Sequence, residues 1–246
     1  MVTGVPAPAV AAASFFPGAA RVRLSALLDE LRALVEVMAD DPVVIEDFLA
    51  LTEATGLEPR DGLRREYAAV KLAFEATRDG GWWHTRWAIT NRKPNSEAVW
   101  SQWAELEAPG DDDAPVVTAT AECDELTALF AFVARRLGAR NVGLFWPVWN
   151  HVVGVWSVTQ GETTHRIVLP TSQIFLGPED SFGTTGFNPW RQKTIYTYRR
   201  RDASSRTALP ASLAEFMVAQ AWSLAFLPQA EQQHRRNARS RALQGS

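Results

Sequence analysis

From Arg21 to about Met38, apolar residues fall at Leu24, Leu27, Leu28, Leu31, Leu34, Val35 and Met38. Steps of three and four mark one face of an amphipathic helix. Pro42 closes this segment and stands at the favoured first position of a second helix, which runs to about Thr55 and stops near Gly56. A third helix is expected over Arg60 to about Glu75, with Leu63, Tyr67, Val70, Leu72 and Phe74 as its apolar positions. The first third of the chain therefore reads as a small helical unit.

The pattern changes at Asp79-Gly80-Gly81. Trp82 to Ile89 and Ala98 to Leu106 are aromatic and partly alternating, with Pro94 in the loop between them, and this predicts a β-hairpin. Ala108 to Pro115, with Asp111-Asp112-Asp113, reads as a solvated turn or linker rather than a metal site. Asp124 to Leu137 is the strongest helical stretch, with Gly138 as its stop. Strands follow over Asn141 to Trp146, His151 to Val158 and His165 to Leu169, with a turn at Thr159 to Glu162. Gly177 to Asn188 is a glycine-rich loop, Lys193 to Tyr198 is the candidate last strand, and Pro210 to Phe226 is a terminal helix. The order defines an α+β protein. Its parts are a tail over 1–20, a helical unit over 21–78, a core over 79–228 and a polar basic tail over 229–246.

Composition narrows the function classes. Hydrophobic residues at 46% and charged residues at 22% of 246 exclude a disordered or collagen-like chain. A net charge of -3 provides no global field toward nucleic acid, so Arg199-Arg200-Arg201 and the C-terminal arginines read as solvated surface. No apolar run reaches the roughly eighteen residues of a membrane span, and Met1 to Ala20 lacks the basic start of a secretory peptide. The expectation is a soluble, cytoplasmic protein. No dinucleotide fingerprint, P-loop or zinc-protease motif is present.

The single cysteine, Cys123, is either a small buried hydrophobe or a reactive thiol. It stands directly before the strongest helix, where unpaired N–H groups and the positive dipole end favour a thiolate. Glu122, Asp124 and Glu125 oppose that charge unless they point to solvent or cap the helix. His151 begins the second strand after the helix and is placed to take the thiol proton and return it to a leaving group. His84, His165 and His234 read as structural.

These residues resemble the transglutaminase-like superfamily of papain-fold thiol enzymes. Glu122 to Leu129 resembles the nucleophile segment of its compact bacterial members, Trp149 to Val155 the histidine strand, and Ile167 to Thr171 the strand that ends in Asp-Pro-Thr. The likeness covers about Val116 to Gln173. It implies a central helix packed on an antiparallel sheet, a Cys123 acyl-thioester and His151 as general base, with no metal or organic cofactor. The family's aspartate falls on Leu169, which cannot orient an imidazole. Thr171 and Gln173 share the strand parity of Leu169 and are the candidate substitutes. Oxyanion stabilisation requires a second donor besides the Cys123 N–H, and Trp103, Gln102 and Trp83 are the candidates. The implied activity is peptidase, amidase or acyl transferase on a peptide or protein. The alternative is a weakened or inactive relative that binds a peptide or protein partner in a cleft walled by tryptophans.

Overall fold

The computed structural model describes residues 14–106, 117–148, 151–172, 194–204, 206–228 and 231. Its elements run β1 (Arg21–Arg23), α1 (Leu24–Asp40), α2 (Pro42–Thr55), α3 (Asp61–Thr77), β2 (Thr85–Trp87), α4 (Glu97–Glu105), β3 (Ala119–Ala121) and α5 (Cys123–Leu137). There follow β4 (Val142–Val148), β5 (His151–Gln160), β6 (Thr163–Leu169), β7 (Tyr196–Thr197), β8 (Ala208–Pro210) and α6 (Ala211–Leu224).

The helical pattern of the first third resolves into α1, α2 and α3. All seven apolar positions of the α1 stripe are buried. Arg21–Arg23 leaves the helix because it pairs antiparallel with β8. At α2, Asp41 accepts the N–H groups of Val43 and Val44, and Gly56 closes the helix at φ 72, a conformation that costs glycine little.

Helix α5 is the axis of the molecule. The sheet, in antiparallel order β6-β5-β4-β7, covers one side of it. Helices α1 and α3 cover another. Twelve of its fifteen residues are buried as a result. Gly154 of β5 permits the close approach, since a Cβ there would lie 2.8 Å from the Phe130 ring. Phe130 in turn meets Phe74 of α3 edge to face, with ring centroids 6.2 Å apart. One apolar cluster therefore runs from Val22 to Ala225, so the N-terminal helices belong to the same core as the sheet. A small second cluster of Phe145, Val153 and Val155 packs with Val168 and Ile195 on the alternate positions of the strands.

The predicted hairpin is corrected. Ala98 to Leu106 is not a strand: most of it lies in α4, where Val99, Trp100 and Trp103 at helical spacing turn inward. Only Thr85–Trp87 of the first half is a strand, and it pairs in parallel with β3 rather than with its neighbour. Among the described residues, several tryptophans are core residues. Trp83, Trp100, Trp103 and Trp156 are each 2% exposed or less, and the first three form a chain of edge-to-face contacts. Part of the expected N-terminal tail is docked, because the N–H groups of Phe15 and Phe16 both donate to the Glu215 carboxylate on α6.

Beyond β7, the chain is fastened by Asp202. Its buried carboxylate accepts the N–H and hydroxyl of Ser96 at 2.8 and 2.7 Å, together with the Tyr198 hydroxyl. Among the described residues no helix is long and apolar enough to cross a membrane. Asp111 to Asp113, Gln173, the glycine-rich stretch Gly177 to Asn188, His234 and the C-terminal arginines lie outside the described residues.

Candidate functional site

Cys123 is the first residue of α5, and the acidic residues around it are the reason the helix begins there. Glu122 and Glu125 form a capping box, and Asp124 accepts the Glu125 N–H. Glu122 also accepts the N–H groups of Thr90 and Asn91, while the fully buried Glu125 takes the Thr90 hydroxyl at 2.6 Å and the Arg92 guanidinium at 3.3 Å. Glu122 and Glu125 thus cap the helix and tie the segment Thr90 to Arg92 across its start.

The thiol is buried, at 6% exposure. Burial raises its pKa above the ordinary thiol value, and the charges of Asp124 and Glu122 push the same way. Hydrogen bonding to the backbone of Val152 and Asp124 acts in the opposite direction. The Thr127 hydroxyl lies 3.4 Å from the Val152 carbonyl oxygen, so the first turn of α5 meets the start of β5. Asp124 is itself raised to about 6, by burial first and then by the neighbouring carboxylates.

His151 is 3% exposed, and burial lowers its pKa. Neither ring nitrogen has a hydrogen-bond partner among the described residues, Cys123 included. Thiol and imidazole are therefore not a hydrogen-bonded ion pair. Both are neutral near pH 7 by the direction of their shifts.

Of the two residues expected to orient His151, Thr171 does something else. Its hydroxyl lies 2.7 Å from that of Thr127, one turn into α5, and its carbonyl accepts the Asp79 N–H. Thr127 in turn donates to the Cys123 carbonyl at 2.7 Å. Gln173 lies outside the described residues. Leu169 pairs with Gly154 in the last pair of the β5–β6 ladder, and Ser172 follows three residues later. Ser172 is 2% exposed and its hydroxyl has no partner among the described residues. Residue type in the sequence does not single it out; only its burial and its unbonded hydroxyl do. Asp79, the carboxylate nearest in the hydrogen-bond network, turns its Oδ1 to the Trp87 N–H.

The three side chains proposed as oxyanion donors are committed elsewhere. Trp83 donates to the Met217 carbonyl and Trp103 to the Thr118 hydroxyl, both inside the core. The Gln102 amide clamps Thr120 of β3, giving its N–H to the Thr120 carbonyl at 2.9 Å and accepting the Thr120 N–H at 3.0 Å. His84 packs edge to face on Phe216, and His165 Nδ1 sits 3.0 Å from the Thr55 carbonyl. Among the described residues no three His, Cys, Asp or Glu side chains gather as a metal site would require.

No family model, curated protein or solved structure matches the chain.

Proposed function

We propose that the chain is a thiol acyl-transfer enzyme built on a transglutaminase-like, papain-like core. The observation that carries this reading is the pairing of residue types in the fold: the chain's one cysteine opens α5, and His151, which opens β5, is buried with neither ring nitrogen bonded among the described residues. A buried polar group left unsatisfied costs about 1–3 kcal/mol, so its retention asks for a purpose. The order supports the same reading: a cysteine opening the central helix, a histidine opening the next strand but one, and an antiparallel sheet against the helix.

The neutral forms suit general-base chemistry, in which the proton moves only as the substrate arrives. Cys123 Sγ attacks the carbonyl carbon of an amide or ester while His151 takes the thiol proton. The carbonyl oxygen becomes an oxyanion facing the Cys123 N–H. Collapse breaks the bond to the leaving amine or alcohol, which receives the proton from His151, and leaves an acyl-thioester. Water then releases an acid, or an amine takes the acyl group, with His151 again removing and returning the proton. A peptide or protein is the substrate class this reading implies. The reaction itself calls on neither metal nor organic cofactor. Ser172, or Gln173 beyond it, is the candidate to hold the imidazole where Leu169 cannot.

A second reading rests on Leu169: a relative with the same fold and no turnover. Intact mass after exposure to an activated aryl ester separates the two. The enzyme gains an acyl group on Cys123 and sheds it. A protein whose thiol acquires no acyl group, or keeps it without release, is the inactive relative.

A further inference from the structure

On another part of the surface, a cavity of about 770 Å³ opens between the start of α1, the last turns of α5 and the segment after β7. Six of its thirteen lining residues are arginine: Arg32, Arg135, Arg136, Arg199, Arg200 and Arg201. None of the thirteen is acidic. In a chain with a net charge of -3, that is a strong local segregation of positive charge.

Several of the guanidinium groups are held in place by contacts with neutral groups. Arg135 donates to the Tyr198 carbonyl. Arg32 Nε donates to the Arg136 carbonyl at 2.9 Å. Arg136 lies over the Phe132 ring, 5.0 Å from its centroid. The triplet Arg199 to Arg201 rides on a fastened segment, because Tyr198 just before it and Asp202 just after it are joined through the buried Asp202 carboxylate. Arg200 turns away to Glu97 and Asp202, and Arg32 pairs with Asp29. Arg135, Arg136, Arg199 and Arg201 form no ion pair among the described residues.

Four unpaired cations around one concavity repel each other, and an anion of matching geometry relieves that repulsion. The guanidinium fork binds phosphate oxygens two at a time, as an ammonium does not. Leu24, Leu28 and Phe132 supply an apolar floor, and the volume falls in the range of small-ligand sites, about 300–1,000 Å³. We propose that this cavity binds a small molecule carrying two or more phosphate groups. The site stands apart from Cys123 and does not rest on the acyl-transfer reading.

Calorimetric titration of the full chain with tripolyphosphate and with ATP, at about 0.15 M salt, tests it. The expected result is saturable one-to-one binding by at least one of them, with Kd below about 100 μM. Arg199→Gln/Arg201→Gln weakens it about tenfold or more, and Arg199→Lys/Arg201→Lys restores less than half of that loss. Both positions are exposed, so folding is checked by an unchanged thermal transition without ligand. Absence of saturation by either probe below about 1 mM overturns the proposal. So does equal binding by the glutamine variant, or binding of a single-stranded RNA while both small probes fail.

Discussion

The hydroxyls of Thr127 and Thr171 lie 2.7 Å apart, joining the helix that begins with Cys123 to the segment that leaves β6. Each hydroxyl has one proton. Thr127 spends its own on the Cys123 carbonyl, so Thr171 is the donor between the two. Removing the acceptor is then worse than removing the donor. Thr127→Val strands a buried O–H and is expected to cost about 1–3 kcal/mol, whereas Thr171→Val costs about 0.5–1.5 kcal/mol. Urea unfolding of the two variants and the double variant checks the order, and the double variant is expected to cost less than the sum.

Gly154 lets β5 lie against Phe130, where an added Cβ would stand 2.8 and 2.9 Å from ring carbons and 3.3 Å from the Leu169 carbonyl oxygen. Gly154→Ala is expected to destabilise by about 1–3 kcal/mol through overpacking. Phe130→Leu in the same chain is expected to recover part of that loss in a denaturant titration, which a backbone-conformational cause would not allow.

Asp124 and Glu122 hold the Cys123 thiol up through their charges, after burial itself. Asp124→Asn keeps an acceptor for the Glu125 N–H and removes one charge. Iodoacetamide labelling of Cys123 is expected to speed up by about threefold at pH 8, with the midpoint shifted down toward the ordinary value of about 8.5.

Burial lowers the His151 pKa, so the folded state favours the neutral ring. Between the folded value and the unfolded value of about 6.5, the unfolded chain binds more protons, so stability falls as pH drops below about 6.5. His151→Gln is expected to flatten that part of the stability curve measured by denaturant titration from pH 7 to pH 5. Asp124, raised to about 6, has the opposite sign: its contribution is complete below about 3.8 and is lost as pH rises toward 6.

Much of the frame was legible in the sequence because it is local. The three-and-four spacing of Leu24 to Met38, Pro42 with Gly56, and Gly138 after Leu137 set helix faces and ends within a few residues of where they lie. The stretch Ala98 to Leu106 was misread because tryptophan favours strands by propensity yet packs equally well at helical spacing, and burial of Trp100 and Trp103 decides it. The parallel pairing of Thr85 with Ala119 joins segments that no turn connects, so local signals do not announce it. At the site, Cys123 and His151 stood out by residue type. The burial of Cys123 and His151, and the Ser172 hydroxyl left without a partner among the described residues, depend on tertiary packing, which residue type does not encode.

The acyl-transfer reading requires that His151 remove the thiol proton as the acyl group arrives. Single-turnover acylation of Cys123 by an activated aryl ester, followed by intact mass at pH 7, measures that step in the wild type and in His151→Ala. The expected result is a Cys123 adduct that forms about a hundredfold faster in the wild type, with a rate that holds through about pH 6.5, because burial lowers the His151 pKa, and falls only at more acidic pH. Equal acylation rates in the two proteins, rising with pH as free thiolate alone would, contradict it.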